Sequence, residues 1–162
     1  MTLIKIQKQA EKMTACHKIH EIADRFRGKF LNRIAVIENE ISEILAILFP
    51  DGKFSQKTLE QKRNALFKII KTDYPNYWNA NKEHLEPLKD LIRFRNQLAH
   101  SILDVSETAL SRPLVQGVAF VGWNNGKPVT DSEFDEFLVK TTMVLGCLSD
   151  VRRLLPYIQK PR

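Results

Sequence analysis

One unbroken apolar pattern constrains the fold of this 162-residue chain more than any other feature. Over residues 16–48 an apolar residue recurs every three or four positions, which places these side chains along one side of an α-helix. The pattern keeps its phase across Gly28 and therefore predicts one long helix, straight or kinked there, of about 50 Å. We call these ten residues the apolar seam: Cys16, Ile19, Ala23, Phe26, Phe30, Ile34, Ile37, Ile41, Ile44 and Leu48.

Three further helices begin at recognisable start signals. Thr58 and Gln61 have the spacing of a capping box, which predicts a helix to about residue 72. Pro87 suits the first turn of a helix that is expected to run to about residue 103. Thr130 precedes an acidic turn and an apolar stripe, so a last helix is predicted to start there and to end at Pro156.

Two stretches between these helices have a different character. Residues 74–79 are rich in aromatic side chains and are expected to form a connection, whose rings either fill the end of the bundle or stack on bases. Residues 114–129 alternate loosely around Asn124-Asn125-Gly126, a strong turn signal, and predict a small hairpin. The whole predicts an all-α fold in one domain over residues 1–162: an up-and-down helical bundle of four to five helices with a small β-hairpin insertion before the last helix.

Charge is distributed unevenly along the chain. The formal net charge is +6. Residues 1–35 carry eight basic and three acidic groups and residues 52–95 carry ten and five, whereas residues 96–150 carry three and seven. A polyanion would therefore approach the side formed by the first helix and by the start of the helix after Pro87. Solvation of helix faces accounts for most of these lysines equally well.

The cysteines and the apolar runs indicate the compartment. Cys16 and Cys147 both lie in apolar helical patterns and read as free, buried thiols in a reducing environment. The N-terminus lacks the apolar block of a signal peptide, and no apolar run is long enough for a membrane span. We therefore expect a cytoplasmic protein that does not associate with a membrane.

Residues 90–101 combine two arginines, an amide and a histidine with apolar neighbours. At about 100° per residue, one side of a helix carries a polar stripe of Arg93, Asn96, Gln97 and His100. Arg95 falls on the apolar side. A guanidinium group withdrawn from water requires an anion or several acceptors. Because His100 adds a group that exchanges a proton near neutral pH, the cluster suits a phosphate ligand.

The sequence Arg95-Asn96-Gln97-Leu98-Ala99-His100 resembles the Arg-x4-His signature of the HEPN superfamily, in its common form Arg-Asn-x-x-Ala-His. These small helical domains recur in toxin–antitoxin, abortive-infection and CRISPR-associated ribonucleases. The resemblance covers about a dozen residues closely and the helical layout loosely. One branch has a tyrosine two residues after the histidine, where this chain has Ile102, so regulation through that tyrosine is not expected.

The resemblance implies a metal-independent endoribonuclease without a cofactor. The 2′-hydroxyl of the substrate would attack the adjacent phosphorus, leaving a 2′,3′-cyclic phosphate and a 5′-hydroxyl. His100 would transfer the proton and Arg95 would hold the phosphate. Asn96 would either orient the histidine or bond the phosphate, and Arg93 would bind substrate. One histidine does not serve easily as both base and acid, so the family uses a homodimer with a composite site. The implied partners are RNA, a second copy of the chain, and a cognate antitoxin or regulatory protein.

Other interpretations of the same residues stay open. The fold could be a non-catalytic module that binds RNA or a partner protein through the same polar stripe, or a structural dimer held together by the motif. Arg95 could cap carbonyl groups, and His100 could simply favour the negative end of its helix. Cys16, His17 and His20 have helical spacing, but four ligands are usual for zinc and no second cluster follows, so no metal site is predicted.

Overall fold

The computed structural model of the protein describes residues 3–158. The elements are α1 (Leu3–Leu48), α2 (Leu59–Asp73), α3 (Pro75–Leu85), α4 (Leu88–His100), β1 (Ile102–Leu103), α5 (Glu107–Ser111), β2 (Phe120–Val121) and α6 (Asp131–Ile158). The fold is an all-α bundle with five long helices and a small antiparallel strand pair before the last helix, as predicted. No helix in the described part of the chain combines the length and apolar composition that a membrane span requires.

The apolar seam lies on one continuous helix. Helix α1 has 46 residues, which corresponds to about 69 Å at 1.5 Å per residue, and it passes through Gly28 without a break. All members of the seam from Ile19 to Ile44 are buried, whereas Cys16 and Leu48 at its two ends are half-buried. The prediction of a single long helix is therefore confirmed, and the helix begins at Leu3, ahead of the seam.

The chain forms two compact units, each built from separate stretches of sequence. The first unit consists of the chain up to Leu31 together with Phe94–Glu136. Its core is aromatic: the ring centroid of Phe26 lies 4.4 Å from that of Phe134 and 5.3 Å from that of Trp123. Aromatic pairs at these separations add about 0.5 to 1.5 kcal/mol beyond the burial of their surface.

The second unit consists of Asn32–Arg93 together with the chain from Phe137 onwards. The capping box at the start of α2 is present, because Thr58 Oγ1 accepts a hydrogen bond from Gln61 N and Gln61 Oε1 accepts one from Thr58 N. The aromatic stretch 74–79 was expected to be a connection, but residues 75–79 are helical and lie in α3, and Tyr74 is the residue before that helix. Tyr77 on this helix donates its hydroxyl to the Cys147 carbonyl oxygen at 2.7 Å, and burial raises the pKa of that hydroxyl. Tyr77 is therefore fixed in its protonated, donating form.

The end of α4 differs from the prediction. The helix stops at His100 and does not continue to residue 103, because the next residues join a strand. Ser101 Oγ donates to the Leu98 carbonyl oxygen at 2.9 Å, and β1 then pairs antiparallel with β2 in the register Ile102↔Val121 and Leu103↔Phe120. The strand pair thus follows His100 directly.

The hairpin predicted over residues 114–129 is reduced to one bridge. Val118 and Val129 exchange two backbone hydrogen bonds of 3.1 and 2.7 Å, and the chain turns between them at Asn124–Gly126. Gly117 precedes this bridge with φ +84°. The short helix α5, which lies ahead of the bridge, was not predicted. Most of the strand pairing is therefore made with the residues that follow α4 and not within the predicted hairpin.

The last helix begins where it was predicted and ends later. Thr130 Oγ1 accepts from Glu133 N at 3.2 Å, and a Glu133 carboxylate oxygen accepts from Thr130 N at 2.8 Å, which completes a second capping box. The helix was expected to end at Pro156, but its backbone continues to Ile158.

Candidate functional site

Helix α4 separates its polar and apolar residues as the motif predicts. Leu88, Leu91 and Leu98 are buried with at most 1% of their surface exposed, and they fix one side of the helix against the protein. Asn96 and His100 are both exposed on the other side, one turn apart. The amide and the imidazole of the motif therefore face solvent together, within reach of a ligand.

Arg95 is half-buried, as expected from its place on the apolar side of the helix. Its guanidinium group turns towards the polar side, where Nη1 donates to Asn96 Oδ1 at 3.1 Å. A neutral amide satisfies one donor but does not neutralise the charge. Within residues 3–158 no carboxylate forms an ion pair with Arg95, so its positive charge stays available beside the surface that carries Asn96.

His100 is the last residue of α4 and its side chain is exposed. Its imidazole makes no hydrogen bond or ion pair to any other residue in the described part of the chain. Both ring nitrogens can therefore exchange protons with a ligand. No hydrogen bond joins Arg95 to His100 among residues 3–158. Asn96 lies between them in sequence: it accepts a hydrogen bond from Arg95 and is one helical turn before His100.

Arg93 and Asp104 flank this group in sequence, and their contacts differ. Arg93 is exposed at the end of the second unit, and its Nη2 lies 3.5 Å from Asp90 one turn earlier. Asp104 accepts a hydrogen bond from Ser106 N at 2.9 Å, which lowers the pKa of its carboxyl group. This carboxyl group is ionised at neutral pH and cannot supply a proton as a general acid.

Arg27 on α1 is a residue that the sequence did not single out. Its Nη2 donates to the Ser101 carbonyl oxygen at 2.9 Å, directly after His100, and its Cζ lies 5.1 Å from the centroid of the Phe120 ring. Its buried Nε has no hydrogen-bond partner among residues 3–158. Arg27 thus brings a second guanidinium group to the end of α4. Nothing in the sequence distinguishes it from the neighbouring basic residues on α1, because its partner lies 74 positions away.

An exposed apolar pair adjoins His100. Ile102 and Val121 lie opposite each other in the strand pair, and 73% and 60% of their surfaces are exposed. Neighbouring apolar side chains on a two-residue edge strand present a surface suited to contact with another protein.

In residues 3–158 no three His, Cys, Asp or Glu side chains lie together in a way that could hold a metal ion. Comparison of the chain with protein-family models, with curated proteins and with solved structures finds nothing similar.

Proposed function

We propose that this protein is a metal-independent endoribonuclease of the HEPN type that acts as a homodimer with a composite site. The observation that carries the proposal is the exposed, unbonded imidazole of His100 on the face of α4 to which Arg95 is turned by its bond to Asn96. A titratable ring and a fixed positive charge at one solvent-facing helix end are what phosphoryl chemistry on RNA requires. The resemblance of the motif suggests a role as a toxin or defence effector.

The reaction uses only groups of this chain and of its substrate. Neutral His100 removes the proton from a 2′-hydroxyl, whose oxygen forms a bond to the adjacent phosphorus. The P–O5′ bond breaks, and the departing 5′ oxygen takes up a proton, which leaves a 2′,3′-cyclic phosphate and a 5′-hydroxyl. Arg95 stabilises the charge that grows on the phosphorane oxygens. One histidine does not serve easily as both base and acid, so the second proton comes from His100 of the other copy, as the resemblance implies for a composite site.

Labelled single-stranded RNA incubated with the purified protein in EDTA tests this activity. We expect cleavage that yields cyclic phosphate and 5′-hydroxyl ends, and no cleavage when the same strand carries 2′-deoxyribose, because the nucleophile is then missing. A cut deoxyribose strand, or products with 5′-phosphate ends, would contradict the mechanism.

The dimer contact is assigned to the exposed pair Ile102 and Val121, which adjoins His100. We expect Ile102→Lys to weaken self-association by about 2 kcal/mol or more, or about thirtyfold, because a charge would be buried at the contact. Sedimentation velocity over a range of concentrations measures this change. The matched control is Val139→Lys, since Val139 is 55% exposed on α6 in the second unit. If only the control dissociates the dimer, the contact lies elsewhere.

A second function is a non-catalytic module that binds RNA or a partner protein through the same stripe. The exposed Ile102 and Val121 pair favours it, because apolar side chains suit a protein partner better than a phosphate backbone. Under this alternative the protein binds its partner tightly while RNA stays intact in the same assay. Saturable binding of RNA or of a partner protein, without any cleavage of RNA, would therefore replace the first proposal with this one.

A further inference from the structure

A basic groove of about 580 Å³ lies in the second unit, where α2 and α3 meet the start of α4. Four of its lining side chains are cationic and one is a carboxylate: Arg63, Lys68, Lys71 and Lys89, with Glu86. Arg63 and Lys71 lie eight residues apart on α2, and thus on the same side of that helix. The helix therefore presents a row of positive charges to the groove.

These four cations are not neutralised by the protein. Within residues 3–158 no carboxylate forms a salt bridge with any of them, not even Glu86, which lies three residues before Lys89. Several like charges around a small concave volume repel one another and raise the local positive potential. An anion in the groove would relieve that repulsion.

Arg63 lines the groove and keeps one buried donor without a partner among the described residues. Only 9% of its surface is exposed, its Cζ lies 5.8 Å from the centroid of the Phe67 ring, and one terminal nitrogen donates to Asn64. Its Nε is buried and has no hydrogen-bond partner in the described part of the chain. A buried guanidinium group that has no carboxylate partner and keeps an unmatched donor is stabilised by a nearby anion.

Trp78 lines the groove, but its ring is engaged by Lys71 and is largely buried. The Nζ of Lys71 lies 4.2 Å from the centroid of its ring, a favourable cation–π contact that holds the ammonium group at the groove. Only 8% of Trp78 is exposed, so its ring offers little surface on which a base could stack. The ligand is therefore recognised through its charge and not through an aromatic ring.

We propose that this groove binds a compact oligophosphate, meaning two or more linked phosphate groups, either free or as the phosphate chain of a nucleotide. Linked phosphates concentrate several negative charges in a small volume and can engage the four cations together, whereas a single phosphate cannot. The volume is within the range of about 300 to 1,000 Å³ that is usual for small-ligand sites. This binding goes beyond the proposed nuclease activity and does not depend on it.

Isothermal titration of the full chain with inorganic tripolyphosphate, ATP, AMP and orthophosphate tests the proposal at one fixed ionic strength. We expect one molecule of tripolyphosphate or ATP to bind per chain, each at least about tenfold more tightly than AMP or orthophosphate. Equal affinity for tripolyphosphate and ATP would assign recognition to the phosphates alone, whereas tighter binding of ATP would show that the nucleoside adds contacts. Either result supports the groove as an oligophosphate site.

Charge-matched double variants locate the binding. Lys68→Gln with Lys71→Gln should weaken tripolyphosphate binding at least about tenfold, because two of the four cations are lost. Lys82→Gln with Lys140→Gln removes the same charge from exposed positions of the same unit that do not line the groove, and should leave the affinity unchanged. His100→Ala should also leave the affinity for tripolyphosphate unchanged, because His100 does not line the groove.

Three outcomes would overturn the proposal. Equal losses in both double variants would mean that net charge, and not the groove, attracts the anion. Loss of binding in His100→Ala would place the ligand at the motif. If an oligouridylate binds at the groove and tripolyphosphate fails to displace it, the groove follows a nucleic-acid backbone and does not take a compact anion.

Discussion

Replacing His100 with alanine is expected to lower the rate of RNA cleavage by about 10² to 10⁴-fold, the usual contribution of a positioned general acid or base. The variant should stay folded, because the side chain is exposed and bonds to no other residue within 3–158. Single-turnover cleavage of labelled RNA measures the loss, and circular dichroism checks the fold.

A histidine outside the motif supplies the matched control for that result. His84→Ala removes an exposed histidine of α3 in the second unit and should leave the cleavage rate unchanged. Arg95→Lys keeps the charge but loses the two-pronged geometry, so we expect a loss of about 10²-fold. If His100→Ala cleaves RNA at the parent rate and at the same positions, His100 is not the proton-transfer group and the proposed mechanism fails.

Gly117→Ala is expected to destabilise the fold by about 3 kcal/mol or more, because two separate costs coincide at this position. The backbone lies at φ +84° and ψ −174°, a region that only glycine adopts readily. An added Cβ would also lie 2.0 Å from the Val129 carbonyl oxygen, so the backbone would have to move. Urea unfolding measures the loss, and hydrogen exchange at the amides of Val118 and Val129 reports whether their bridge opens.

Gly126→Ala separates these two costs. Gly126 also has a positive φ, +71°, but nothing lies within 4 Å of the position that a Cβ would occupy. We expect this variant to cost only about 1 to 2 kcal/mol, from backbone strain alone. Equal destabilisation by the two substitutions would show that the contact with Val129 contributes nothing.

Periodic and local signals were sufficient to predict the presence of α1, α2, α4 and α6. The apolar seam predicted α1, and the capping box at Thr58 predicted the start of α2. Thr130, followed by an acidic turn, predicted the start of α6. Each of these signals depends only on residues a few positions apart. The exposed face of α4 followed from the same reasoning. These predictions succeeded where sequence spacing alone decides which side of a helix is buried.

Features that depend on distant partners were not predicted. Helix α3 was missed because Pro75 and the aromatic residues after it read as a break, whereas the proline occupies the first helical turn and Tyr77 is held by Cys147, 70 positions away. The end of α4 was missed because Ile102 continues the apolar pattern, and only its pairing with Val121 stops the helix. The hydrogen bond from Arg27 to the Ser101 carbonyl oxygen was also missed, because the two residues are 74 positions apart. The motif could thus be found in the sequence, but the groups that surround it could not.

The discontinuity of the two units limits how this protein can be dissected. The chain passes from one unit to the other at residues 31–32, 93–94 and 136–137, and at each crossing its backbone is helical, in α1, α4 and α6. Deleting either end of the chain therefore removes part of a unit and never isolates one. A fragment that contains the motif without the basic groove would need residues 1–31 joined to residues 94–136 by an engineered linker. In that fragment α1 would stop at residue 31 and α6 at residue 136, although both helices continue beyond these positions in the full chain.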